Sequence, residues 1–331
     1  MSGFKDVIGH KEIIQYIENA VAGDVLSHAY ILDGAKGSGK RLLANLFAMS
    51  IQCKDRNVDG GPCGQCVSCH QAFGENQPDI IKVTHEGQKS LGVEEIRRQV
   101  NQTVDIKPYS SPYKIYIIGQ ADLMTVQAQN ALLKTLEEPP KFVIFLLLTE
   151  NADRLLPTVA SRCVMLKLRN IKDEVIRKYL VEHMAVPKGK ADLCVAFAGG
   201  NIGQAIMLAN SEYHEEIRND VIRLMTRIAD MKLEELFLFV KKAAKFKLSD
   251  DDYLDFIAVW FRDVLLYKAT KNIDKVIFYE QLSQIKERAN TSSYEGIERI
   301  LEAIEVSKTR LQANVSFELA FELLLLTIKE N

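Results

Sequence analysis

The sequence predicts an α/β domain built on a parallel sheet with a phosphate loop, carrying a cysteine-rich insertion and followed by helical segments only. Three observations carry this. Short apolar strands alternate with amphipathic helices over residues 1–168, the pattern of a parallel sheet with helices on both faces. A G-x-x-x-x-G-K loop, residues 34–40, stands between a strand and a helix. After residue 168 strand candidates almost vanish, and long amphipathic helices take over.

Residues 28–32, His-Ala-Tyr-Ile-Leu, read as the strand before the loop. Residues 41–52 read as the helix after it, with Leu42, Leu43, Leu46, Phe47 and Ile51 near the helical period. Residues 79–83, 114–118 and 143–148 supply three further strands, and residues 93–104 and 125–138 two helices, the second stopped by Pro139-Pro140. Residues 172–183, 190–197 and 204–209 form a small helical module interrupted by Gly199-Gly200. From residue 211 onward the helices lengthen. Ser249 ahead of Asp250, Asp251 and Asp252 marks one helix start. Residues 316–329 are apolar over so much of their surface that the helix is either central to its domain or covered by another chain.

The 331 residues carry a net charge of −2, so a chain that grips nucleic acid alone through a basic surface is not indicated. The basic run 241–247 is explained as well by a solvated helix face. The N-terminal dozen lacks the apolar core of a signal peptide, and no apolar run approaches the ~18 residues of a membrane helix. A cytoplasmic protein is expected.

In the phosphate loop, Gly34, Gly39 and Lys40 are the candidate nucleotide-binding residues: backbone N–H groups cradle phosphates and the lysine reaches the outer ones. The position after the lysine, where a Ser or Thr hydroxyl holds Mg²⁺, is Arg41. The strand 114–118 runs into Gly119-Gln120, where a metal-holding Asp and a carboxylate base are needed. Asp122 is expected to cap the following helix instead. Both defects affect one ion, so ATP or ADP binding stays open while hydrolysis is not expected.

Cys53, Cys63, Cys66 and Cys69 form C-x9-C-x2-C-x2-C. Two CxxC steps sharing Cys66 cannot converge from a regular helix; Gly60, Gly61, Pro62 and Gly64 supply a knuckle loop. In a reducing compartment such a set fits a closed, structural Zn²⁺ site better than disulfides or free thiols. His70 is an alternative fourth ligand, and Cys163 and Cys194 are too isolated to form a second site.

Together with residues 4–9 (FKDVIG), the phosphate loop and the cysteine insertion, the stretch 130–140 (NALLKTLEEPP) and the triplet Ser161-Arg162-Cys163 make the chain resemble the AAA+ clamp-loader family. The resemblance covers the first ~210 residues by motif and the rest by helical character. It implies an AAA+ module over 1–168 with the zinc insertion at about 53–70, a small helical lid over 169–210, and a helical collar over 211–331 that joins sister subunits. It implies that Arg162 reaches in trans to ATP on a neighbouring subunit, and that Thr149 stands at the first sensor position, where without hydrolysis it packs or caps. The lid arginine of hydrolysing relatives is missing from residues 199–206. The expected role is a non-motor subunit acting with gamma/tau and delta partners on the sliding clamp and primer-template DNA. The rival is an active gamma/tau-type ATPase with an unusual metal arrangement, opposed by Arg41, Gly119, Gln120 and the missing arginine. A zinc-dependent DNA-binding module is opposed by the acidic balance. No segment suggests polymerase chemistry.

Overall fold

A computed structural model describes residues 3–84, 90–244, 251–274, 276–313 and 315–331. The chain divides into two compact units, residues 1–176 with 199–203, and residues 177–198 with 204–331.

In the first unit, β1 (Ala29–Asp33), β2 (Ile80–Val83), β3 (Lys114–Ile118), β4 (Val143–Thr149) and β5 (Val164–Lys167) form one sheet in the order β2-β3-β4-β1-β5. Every pairing is parallel. β1, β3 and β4 are apolar almost throughout because both faces are covered. Tyr30, Leu32, Ile115, Ile117, Leu146 and Leu148 face α1 (Lys11–Ala22) and α2 (Lys40–Gln52). Their neighbours Ile31, Tyr116, Phe145 and Leu147 pack on the other face with Ile96 of α4 (Val93–Ile96) and Leu132 of α5 (Val126–Glu137), after α3 (Val67–Phe73) has followed the cysteine loop. Tyr116 stacks on Phe145 with ring centroids 5.3 Å apart.

The four expected strands are present within a residue or so, and β5 is an addition. Only Leu166 of β5 is buried, since this strand forms an edge, so no apolar run announces it. The helix expected over 93–104 starts as α4 and widens into a π-type turn over Arg97–Asn101. Asp122 does not cap α5. Thr125 does, its hydroxyl accepting from Ala128 N at 3.2 Å. Asp122 accepts instead from Thr149 Oγ1 and Glu150 N, both at 3.2 Å, which ties the end of β3 to the end of β4. α6 (Pro157–Ala160) then leads into β5.

The helical region runs α7 (Asp173–Met184), α8 (Lys188–Ala198), α9 (Ile202–Asn210), α10 (Glu212–Arg227), α11 (Leu233–Ala243), α12 (Asp251–Thr270), α13 (Leu282–Thr291), α14 (Tyr294–Gln312) and α15 (Phe317–Glu330). In the second unit α12 is central, packing on α10, α13 and α14, while α15 packs on α14 and α11. Trp260, Phe261, Phe278 and Phe321 fill its core. Asp263 is fully buried there and holds a turn: it accepts from Ile277 N at 2.7 Å, Phe278 N at 2.8 Å and Arg262 Nη1 at 3.0 Å. Ser249 and Asp250, the expected start of α12, and Lys245, Phe246 and Lys247 of the basic run lie outside the described residues. Lys242, within that run, pairs with Asp220 at 2.8 Å. α15 buries Ala320, Phe321, Leu324, Leu325 and Ile328 but leaves Leu319 and Leu323 51% and 41% exposed. No helix among the described residues is long and apolar enough to cross a membrane.

Candidate functional site

The phosphate loop leaves β1 at Asp33 and enters α2 at Lys40. Gly39 has φ +92°, a conformation that only glycine adopts freely, and a Cβ on Gly34 would stand 2.8 Å from Ser38 Oγ and 2.9 Å from Leu168 Cβ. Lys40 Nζ donates to the carbonyls of Gly34 (2.8 Å) and Ala35 (3.2 Å) and stands 3.7 Å from Glu150 Oε1. Burial lowers the Lys40 pKa, against the pull of Glu150, Asp122 and Asp33, which gather around the ammonium. Ser38 Oγ is buried beside the loop without a hydrogen-bond partner.

Two further segments close on this loop. His10 Nε2 meets Ser38 O at 3.1 Å, and burial lowers the His10 pKa against that bond. Ahead of α9, Asn201 Nδ2 donates to Lys36 O at 2.6 Å and Gly203 N to Gly37 O at 3.0 Å. A Cβ on Gly203 would lie 2.4 Å from Gly37 O, so the backbone here rests directly on the phosphate loop. Neither Asn201 nor Glu150 was singled out from the sequence; the glycine density at 199, 200 and 203 was the available signal for the first.

Arg41, after the phosphate-loop lysine, and Gly119, at the end of β3, come close to each other. A Cβ added to Gly119 at the end of β3 would have Arg41 Nη2 as its nearest neighbour, at 4.0 Å. A guanidinium therefore occupies the approach to the very strand end that lacks its carboxylate. Gln120 takes a left-handed conformation at φ +52° and begins the short turn that carries Asp122. Thr149, fully buried, donates to Asp122 and accepts from Asn151 N at 3.1 Å, while Asn151 itself caps the next turn.

The cysteines come together where α2 ends. Cys53 caps α2, Cys63 and Cys66 lie in the loop, and Cys69 sits in the first turn of α3. That short helix is an addition to the expected knuckle loop. All four Sγ atoms lie within 4.8 Å of one another. The Cys53–Cys66 and Cys63–Cys69 separations are both 3.9 Å. A tetrahedral zinc site with Zn–S of about 2.3 Å has S···S edges of about 3.8 Å, which the two 3.9 Å separations match, and four thiols are a donor set such an ion takes. Backbone N–H groups already point at the sulfurs: Cys63 N to Cys53 Sγ at 3.3 Å, Cys66 N to Cys63 Sγ at 3.3 Å and Cys69 N to Cys66 Sγ at 3.4 Å. Burial opposes the Cys66 thiolate, but the N–H groups of Lys54 and Cys69 outweigh it and bring the pKa down to about 6. Burial raises that of Cys53 and, further, that of Cys69. His70 is exposed. Burial lifts the separate thiols Cys163 and Cys194 to about 12 and about 11.

Arg162 follows α6 and is partly exposed. Its Nη1 donates to Thr158 O at 2.8 Å and its Nη2 to Glu137 Oε1 at 2.8 Å. The phosphate loop, the cysteine cluster and the arginine all lie in the first unit.

Sheet and loop together define a P-loop α/β protein with a helical C-terminal region. Family comparison narrows this. The family described as "DNA polymerase III, delta subunit" matches residues 9–172, and a second, which describes the C-terminal part of that delta protein, matches 217–330. The chain is 31% identical to DNA polymerase III subunit delta′ of Bacillus subtilis over 323 residues, 96% of this chain and 95% of that one. It is 27% identical to subunit tau of the same bacterium, over 96% of this chain and 60% of that longer one. It is also 37% identical to subunit gamma of Buchnera aphidicola over 177 residues, 54% and 48% of the two chains. The solved gamma subunit-related protein of Thermotoga maritima aligns with a TM-score of 0.47 at 16% identity, over 96% of this chain and 98% of that one. The chain belongs to the delta′ family of bacterial DNA polymerase III, within the AAA+ clamp-loader class.

Proposed function

We propose that the chain is a non-motor subunit of the replicative clamp loader, which binds at most a resting nucleotide and supplies Arg162 to the ATP site of a neighbouring motor subunit. The observation that carries this reading is the guanidinium of Arg41 beside Gly119. It removes the hydroxyl ligand of Mg²⁺ and sets a positive charge against the strand end from which the second ligand is missing. Lys40 and the loop glycines keep the means to hold ATP or ADP, without the ion that turnover needs. Arg162, by contrast, is on the surface with planar donors suited to a phosphate.

On this reading the AAA+ module spans 1–168, the lid 169–210 and the collar 211–331. The collar binds gamma/tau and delta partners, a role supported by the outward leucines Leu319 and Leu323 on α15. A Zn²⁺ ion held by Cys53, Cys63, Cys66 and Cys69 fastens the insertion; it is structural, having no open ligand position. The assembled ring, working in the cytoplasm, places the sliding clamp on primer-template DNA. In a reconstituted ring, Arg162→Ala should leave this chain folded and incorporated while ATP turnover falls by orders of magnitude; unchanged turnover removes the trans role. The retained Lys40 and the 37% identity to a gamma subunit favour a second reading, an active gamma/tau-type ATPase. Hydrolysis by the isolated chain separates the two.

A further inference from the structure

The bond between Arg162 and Glu137 spans 25 residues of sequence and links two of the motifs by which the chain resembles clamp loaders, the stretch 130–140 and the triplet 161–163. Glu137 is the last residue of α5, directly after Leu136, which is 1% exposed in the core of the sheet. After one further residue, Glu138, come Pro139 and Pro140, so the helix cannot extend there. The Glu137 backbone is thus fixed from both sides. α5 also fastens the other end of the arginine's platform. Gln129, 2% exposed, accepts from Leu156 N at 2.7 Å and donates to Arg154 O at 3.3 Å, just before α6 begins. Gln129 holds the entrance to α6 and Glu137 the arginine at its exit.

The pair is partly exposed, with side-chain exposures of 36% and 45%, and contributes little to global stability. Its effect is on the arginine. A free arginine side chain is rich in rotamer entropy, part of which is lost on engaging a phosphate. Here Thr158 O holds Nη1 and Glu137 holds Nη2. A guanidinium has five N–H donors, so an arginine held at these two atoms still has donors to offer outward. Resting on the reading of Arg162 as a trans-acting arginine, we infer that Glu137 is its positioning residue, pre-ordering the guanidinium for the neighbouring subunit's phosphate and linking it to α5. Glu137 does not itself touch the nucleotide. The adjacent Glu138, exposed and one step round the helix end, supplies a charge-matched control.

The test is steady-state ATP turnover by the ring reconstituted with its motor and clamp-opening subunits. Glu137→Ala should lower kcat by about 3- to 10-fold, a fraction of the ~10³–10⁵ a trans arginine supplies, with KM for ATP and ring assembly by gel filtration unchanged. Glu137→Gln keeps a carbonyl acceptor and should recover most of the loss, and Glu138→Ala should match the unaltered ring. In the Arg162→Ala background, Glu137→Ala should bring no further loss. If Arg162→Ala slows turnover and Glu137→Ala does not, the positioning role fails while the trans arginine stands. Faster turnover by Glu137→Ala makes the carboxylate a restraint and overturns the inference, as does an equal loss in the Arg162→Ala background. If Arg162→Ala is itself without effect, both proposals fall. Should Glu137→Ala fail to assemble, Glu137→Gln decides: it must keep kcat close to that of the unaltered ring, and an Ala-sized loss of kcat overturns the inference.

Discussion

Replacing Cys69 by serine tests what the cysteine cluster does and how far its influence reaches. The cluster has almost no apolar core of its own. Met49, Cys53 and Cys69 are its buried members, with Cys63, Cys66 and Ala72 packed around them. Apolar burial this small contributes little to closing the loop; on the zinc reading the metal does so, and its binding to small zinc domains is worth about 10–16 kcal/mol of apparent folding energy. The entry to the loop has a separate anchor. Arg56 donates to Ser50 O at 3.1 Å, Ile51 O at 2.8 Å and Val21 O at 3.3 Å. At about 0.5–1.5 kcal/mol each, these bonds contribute about 1.5–4.5 kcal/mol that survives metal loss. Cys69→Ser should therefore release the zinc and open the segment from residue 57 to about 76, leaving the sheet intact. The main unfolding transition should fall by about 1–2 kcal/mol, or roughly 2–8 °C for a unit of this size. Metal analysis should read one zinc per chain before the change and none after it, and amide exchange should rise over that segment alone. Cys194→Ser, distant in sequence from the set, should keep the metal. A metal-free native protein whose loop is already protected from exchange would refute the reasoning, and so would global unfolding of Cys69→Ser.

Other outcomes follow from the same structure. Asp263→Ala leaves two backbone N–H groups and Arg262 without their acceptor, and should cost the helical unit about 2–4 kcal/mol in denaturant unfolding; a loss under about 1 kcal/mol would contradict the buried clamp. Burial raises the Asp263 pKa against the donors that surround it, so the native state binds this proton more readily than the unfolded chain. Its contribution is complete below the ordinary carboxylate value and is lost as pH rises through the raised one, and Asp263→Asn should flatten that part of the stability–pH curve. Leu323→Glu should leave circular dichroism and Tm of the isolated chain nearly unchanged, because the side chain is 41% exposed. It should weaken ring assembly at least ~10-fold by analytical ultracentrifugation; normal assembly would remove α15 from the subunit interface. Gly203→Ala drives a Cβ against Gly37 O and should displace the phosphate loop, which chemical-shift changes at residues 34–40 would report.

What the sequence discloses depends on how local the physics is. The phosphate loop was legible because glycine and lysine spacing is itself the cradle, and β1, β3 and β4 because strands covered on both faces are uninterrupted apolar runs. β5 leaves no mark in the sequence because an edge strand with one buried residue has no such run. The cysteine set was legible from spacing, but not the short α3 that carries Cys69. Asp122 reads as a cap in the sequence because its partners, Thr149 and Glu150, come from the end of β4. The same holds for the pairs that matter most here. Arg41 beside Gly119, Arg162 on Glu137 and Gly203 on Gly37 are each made by the fold, between segments with no sequence signal of their adjacency.

The central claim is that this chain assists ATP turnover without performing it. The direct measurement is ATP hydrolysis by the purified chain alone, beside the same chain mixed with its motor and clamp-opening partners. The account predicts no turnover alone, and turnover in the mixture that depends on Arg162. Hydrolysis by the isolated chain that disappears in Lys40→Ala would contradict it, and would make the chain a motor despite Arg41 and Gly119.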